Sequence, residues 1–277
     1  MRSHPELRVL CRQGPAIYDL QILQSNFGEQ MLRDPPIRAK LIAIFILPAL
    51  GTVVLACMRS GGDLRDRARA ERGALAVTLA VDATTLAHEL GGERDLSAVW
   101  QSRVRPQPGD QAALESARAR VDPAIGAFRS SAARFDRSGQ DPALRIPLQV
   151  ALTGVGRVPA RRDAVDHGPR GPVAVRNAIT SSSATIGALL DVASRLPGAG
   201  GGGALGRELS ALAALAQAEE AASFQRGLGA VVTLTGRFQG RDEQLLAAAM
   251  GARQHELSQF RAIATPAEQE RYRRIVD

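Results

Sequence analysis

The chain has 277 residues, of which 23% are charged and 45% apolar, a balance that supports a folded core and excludes wholesale disorder. Aromatic residues are only 4%, so the core is expected to be aliphatic, and an all-β sandwich or barrel is set aside. The formal net charge of +7 comes almost wholly from arginine, since Lys40 is the only lysine. Such a balance suits nucleic acid, anionic lipid or a small anion. With no nucleic-acid-binding motif and too few aromatics for a stacking platform, nucleic acid is not expected as a partner. Cys11, Cys57 and four scattered histidines offer neither a disulfide framework nor metal-ligand spacing, so no metal or cofactor is expected.

Leu41 to Met58 reads LIAIFILPALGTVVLACM, an uncharged run of 18 residues that Ile37 extends upstream. Its length predicts a transmembrane helix over 37–58, with Pro48 tolerated inside it. Residues 1–36 then form an N-terminal cytoplasmic segment, with Met31 an alternative start. Val54-Leu55-Ala56-Cys57 is a loose lipobox, but a signal peptide or lipoprotein signal would have an unusually long preceding region. An uncleaved anchor in the lipid bilayer fits best. Arg33, Arg38 and Lys40 flank one side; Arg59, Arg65, Arg67, Arg69 and Arg72 flank the other. Basic residues alone therefore favour an inside location for the C-terminal part.

Beyond Gly61-Gly62 the pattern is helical. Leu75, Leu79, Ala83, Leu86, Leu90 and Ser97 share a stripe. Asp110 is a candidate cap for a second helix with Leu114, Val121, Ile125, Phe128, Ala132 and Phe135 on one face; Pro123 should kink or break it. A weaker helix over 142–166 is interrupted by Gly154, Gly156 and Pro159. Turn residues from His167 to Pro172 precede a helix over about 173–196. Pro197 to Gly203, PGAGGGG, is a linker, and no Gly-Lys-Ser/Thr follows to make it a phosphate loop. Leu205, Leu209, Leu212, Ala216, Glu219, Ser223, Arg226 and Ala230 then recur at 4-3-4-3-4-3-4, a heptad seam. A helix over 242–263 follows. Thr265-Pro266-Ala267-Glu268 is a capping box opening the last helix. The fold class is thus all-α: a transmembrane helix followed by two packed antiparallel helical bundles over 66–276, divided near 197–203.

The informative residues are charges on apolar seams. Glu219 and Arg226 fall on the heptad stripe, and Glu93 and Arg94 lie at or beside the stripe of the first soluble helix. A buried charge is costly unless it is paired or binds an ion. Glu93-Arg94-Asp95-Leu96 and Gln225-Arg226-Gly227-Leu228 sit in the middle of two long helices, one in each half. Two readings follow. Arg94 and Arg226 pair internally with Glu93, Glu219 or Glu220, or the two arginines clamp an oxyanion between helices, using the guanidinium fork. His88-Glu89-Leu90 opens like a phosphoacceptor box, but Gly91-Gly92 follows and no nucleotide-binding boxes come later. No nucleophile–base constellation is present, and no catalytic residue is expected.

The segments Ile37 to Leu41, Leu86 to Ala98 (LAHELGGERDLSA), Glu219 to Ala230 (EEAASFQRGLGA), Gly236 to Leu246 (GRFQGRDEQLL) and Phe260 to Val276 resemble, in order and spacing, the nitrate- and nitrite-sensing (NIT) domain of actinobacterial sensor histidine kinases. The resemblance implies an all-helical sensor, held outside the cell membrane as a homodimer, that binds nitrate or nitrite. Arg94 and Arg226 would bind the anion, with Glu93, Glu219 and Gln225 in support. Helix movement would pass through the membrane to a kinase, a two-component device whose catalytic region does not lie in this sequence. Here the resemblance opposes the basic-residue count on sidedness. The alternative function is a ligand-free helical dimerisation module anchored in the membrane.

Overall fold

A computed structural model describes the backbone of residues 37–276, apart from 104, 106, 139–140, 200–202 and 239, and, within that backbone, the side chains of 67–275 except 108, 234 and 235. Among these residues the fold is all-α, with no strand. The expected segment 1–36 lies outside the described residues. The backbone of the expected membrane span, 37–58, is helical, but its side chains lie outside the described residues. Among the described residues no helix is long and apolar enough to cross a membrane.

The helices are α1 (Ile37–Ser102), α2 (Pro108–Arg137), α3 (Pro142–Gly156), α4 (Val158–His167), α5 (Pro172–Ala199), α6 (Gly203–Thr235), α7 (Asp242–Ile263) and α8 (Pro266–Val276). Among the described residues the chain divides between Leu64 and Arg65 into a first and a second compact unit.

Within the second unit the main core joins α1 to α6. Ala76, Leu79, Ala83 and Leu86 of α1 meet Val121, Phe128 and Phe135 of α2, Leu144 and Val155 of α3, and Ile186, Leu189 and Leu196 of α5. Leu209 of α6 belongs to the same cluster. The stripes read from α1, α2 and α5 are therefore the faces that are buried, as a 3.6-residue repeat demands. Ala211 and Ala214 of α6 pack instead with Phe260 and Ala264, and Phe260 lies 5.4 Å from the Tyr272 ring of α8. Val231 of α6 packs in a third cluster, with Ala98, Val175 and Ile179, so one helix serves three.

That shared duty corrects the heptad expectation. Glu219 and Arg226 are exposed, whereas Ala213, Ala218, Ala221 and Leu228, off the seam, are buried. A straight helix drifts about 20° per heptad from a 3.5-residue repeat. With neighbours on two sides, α6 buries small residues round much of its girth.

Several local readings change in detail. Pro123 lies inside a continuous α2. Gln107 is the N-cap of α2, and Asp110 acts from the third position, its Oδ2 accepting from the Gln107 backbone at 2.9 Å. Arg157 separates α3 from α4 near the expected glycine and proline interruptions. Pro197 to Ala199 continue α5 rather than opening the linker, whose residues 200–202 lie outside the described residues. At α8 the capping box forms as read: the Glu268 carboxylate accepts from Thr265 N at 2.7 Å, and Thr265 Oγ1 accepts from Glu268 N at 3.3 Å.

Candidate functional site between α1 and α6

Two small residues allow α1 and α6 to approach closely. A Cβ on Gly91 would meet Ser223 Oγ at 3.3 Å, and one on Gly227 would meet Asp95 Oδ1 at 2.4 Å. Between these glycines lies Arg94, whose side chain is 1% exposed. A guanidinium this deep needs hydrogen-bond partners, and α1, α5 and α6 supply at least one to each of its nitrogens. Nη1 donates to Glu220 Oε1 and to Ser183 Oγ, the latter at 3.1 Å. Nη2 donates to Ser223 Oγ at 3.3 Å and Nε to Asp95 Oδ1 at 3.0 Å. Ser223 in turn donates to Asp95 Oδ2 at 3.0 Å. The Phe224 ring centroid lies 5.5 Å from the guanidinium carbon.

Burial pushes the Asp95 carboxyl above its ordinary range, against the opposing pull of Arg94, the Ser223 hydrogen bond and Arg226. Glu220 is likewise raised, first by burial, with Arg94 opposing and the charges of Asp95 and Glu219 adding to the rise. Two carboxylates therefore compete for one guanidinium in a poorly hydrated place.

Arg226 reaches the same site from its exposed edge. It lines a 140 Å³ pocket with Asp95, Glu219, Glu220, Ser223 and His88. His88 Nδ1 lies 2.5 Å from Glu219 Oε1, tying α1 to α6 at the rim. The structure thus places both arginines near Asp95 and Ser223: Arg94 hydrogen-bonds to both, Arg226 lines the pocket with them, and Arg94 itself lines a different cavity, beside Glu93.

The residues expected in support separate. Glu93 faces away from this crossing and is held by Arg162 of α4 through two 2.8 Å hydrogen bonds, with Arg118 at 3.8 Å. Its neighbour in sequence is therefore not its partner. Glu219 pairs with His88. The Gln225 amide nitrogen is buried with no partner. The internal-pairing reading is met for Arg94 by Glu220 and Asp95, not by Glu93.

Sequence reasoning missed Asp95, Ser183 and Ser223 as partners of Arg94. Helical spacing carried a signal for one of them: Glu220, Ser223 and Gly227 recur at three and four residues and share the face turned to α1. Arg162 carried none, because a short charged helix gives no hint of which buried acid it will meet. Among the described residues no group of His, Cys, Asp and Glu is arranged to hold a metal ion.

A family model described as nitrate and nitrite sensing matches residues 85–277, which includes both arginines. Among solved structures, that of the NasR transcription antiterminator is similar, with a TM-score of 0.68 and 23% identity over 78% of this chain and 57% of that one. The chain thus spans little more than half the length of that protein, and the likeness establishes the fold. No curated protein matches the chain. With well over half of its length accounted for by one family model, the chain belongs to the nitrate- and nitrite-sensing (NIT) family.

Proposed function

We propose that this chain is the sensory part of a membrane-anchored signalling protein, and that nitrate or nitrite binds where α1 crosses α6, at Arg94 and Arg226. The observation that carries the site is the juxtaposition of the two arginines around Asp95 and Ser223, inside the family match. A planar oxyanion suits the guanidinium fork. It would take the place of one carboxylate on Arg94 and draw Arg226 inward. Asp95 and Glu220 are suited to yield, since burial already favours their neutral forms. A ligand that favours one packing of α1 on α6 shifts the balance between two arrangements by its differential affinity for them.

On this reading 37–58 is the membrane anchor, the helical unit lies outside the cell membrane as a homodimer, and a histidine kinase receives the signal. The uncharged run from Leu41 to Met58, continuous with α1, supports the anchor. The helical part is read as two packed bundles that share α6.

A second reading has its own support. Every nitrogen of the Arg94 guanidinium already has a protein partner, which suits a ligand-free structural module anchored in the membrane. Thermal unfolding of the full chain in detergent micelles, with sodium nitrate against sodium chloride at equal ionic strength, separates the two. A nitrate-specific rise in Tm supports the sensor. Equal Tm in both salts supports the structural module.

A further inference from the structure

A second cluster of arginines lies on the other flank of α1. Here α1, α4 and α5 enclose a cavity of 160 Å³, lined by Glu93, Ser97 and Gln101, by Arg161 and Arg162, and by Asn177. The two arginines of α4 differ sharply. Arg162 is neutralised by Glu93, through its paired 2.8 Å hydrogen bonds, and by Asp122 at 2.6 Å. Arg161 donates through Nη1 to neutral acceptors, Thr185 Oγ1 at 2.8 Å and the Gly154 carbonyl at 3.3 Å. Its Nη2 is buried without a partner. Among the described residues no carboxylate stands within ion-pair distance of it.

The surroundings relieve this charge only in part. Burial lowers the Arg161 pKa, Glu93 opposes, and the neighbouring charges of Arg157 and Arg162 add to the lowering. Gln101 is 3% exposed, and its side-chain oxygen is also buried without a partner. Turned end for end, that amide presents N–H donors to the cavity instead. Ser97 adds a hydroxyl. An unpaired buried donor on a cation is among the costliest features a fold can carry, and a bound anion removes the cost.

We propose that this cavity is an oxyanion-binding site, with Arg161 as its cation, and that it takes one small, singly charged inorganic oxyanion. The guanidinium of Arg161, with no carboxylate at ion-pair distance, favours a ligand of single charge over a multiply charged one, and the volume holds such an ion with several waters. The site is separate from the α1–α6 crossing. It touches the crossing through α1, because Glu93 and Arg94 both line the cavity. Its ligand therefore bears on the helix that carries Arg94.

The test is isothermal titration of the full chain in detergent micelles with sodium nitrate, in gluconate buffer of constant ionic strength. Four proteins are compared: wild type, Arg226→Ala, Arg161→Gln in the Arg226→Ala background, and Asn177→Asp in that same background. Asn177 is exposed, so its carboxylate variant keeps the fold while placing a negative charge at the rim. The expected result is nitrate heat that persists in Arg226→Ala, disappears with Arg161→Gln, and needs at least tenfold more nitrate with Asn177→Asp. Far-UV circular dichroism checks folding. Loss of all nitrate heat in Arg226→Ala alone overturns this site and leaves the α1–α6 proposal standing. Heat unchanged by both added substitutions also overturns it. Heat unaffected by Arg226→Ala but removed by Arg161→Gln supports the cavity and sinks the α1–α6 proposal instead.

Discussion

Arg94 of α1 and Glu220 of α6 form a largely buried ion pair, with side chains 1% and 19% exposed, at the crossing that Gly91 and Gly227 flank. Asp95 and two serines complete the arginine's shell, so the pair is a locked junction. Removing one member of such a pair leaves an uncompensated charge and costs about 3–5 kcal/mol. Arg94→Ala should therefore unfold in urea at a clearly lower midpoint. Arg226→Ala, at an exposed edge, should stay within about 0.5 kcal/mol of wild type. Equal losses would contradict the burial difference.

The two buried carboxyls give a pH signature. Both pKa values are raised, so the folded state takes up protons at a pH where the unfolded chain, near 3.8 for Asp and 4.5 for Glu, does not. Their contribution to stability is fully present below those ordinary values and is lost as pH rises through the folded pKa. Asp95→Asn with Glu220→Gln should therefore gain less stability than wild type between pH 7.5 and pH 5. Denaturant midpoints at the two pH values check this; parallel changes would contradict it.

The same linkage reaches the ligand. Protonation of Glu220 or Asp95 releases positive charge on Arg94, so nitrate should bind more tightly as pH falls from neutral. Titrations at pH 7.5 and 5.5 should differ in that direction, and the Glu220→Gln variant should show a smaller difference.

Glycines in one helix should respond in opposite ways. A Cβ on Gly227 strikes Asp95, which Arg94 and Ser223 hold in place, and Gly227→Ala should cost about 1–3 kcal/mol. Nothing lies within 4 Å of a Cβ on Gly229, so Gly229→Ala should gain about 0.5–1 kcal/mol from helix propensity. Thermal melts of the two variants should move in opposite directions.

Much of this was legible in the chain itself. The stripes of α1, α2 and α5, and the capping box at Thr265, follow from local chemistry, and local chemistry is written in neighbouring residues. Arg94 stood out because a charge on an apolar stripe must be partnered somewhere. Which partner it takes depends on helix crossings that no spacing encodes. Glu93, adjacent in sequence, turned to Arg162, while Glu220, more than a hundred residues away, took Arg94. The heptad on α6 misled for a related reason. The seam rule assumes one packing neighbour, and α6 is buried on two sides. Arg161 left no trace, since its distinction is the lack of an acid across a cavity.

The central claim is that an oxyanion binds at the α1–α6 crossing that carries Arg94 and Arg226. The most direct measurement is the nitrate-specific Tm shift of the full chain in detergent micelles, wild type against Arg226→Ala, with chloride as the ionic-strength control. The account predicts a rise in wild type that is at least halved in Arg226→Ala, with unchanged Tm in chloride. A rise of equal size in both proteins, or none in wild type, would contradict it.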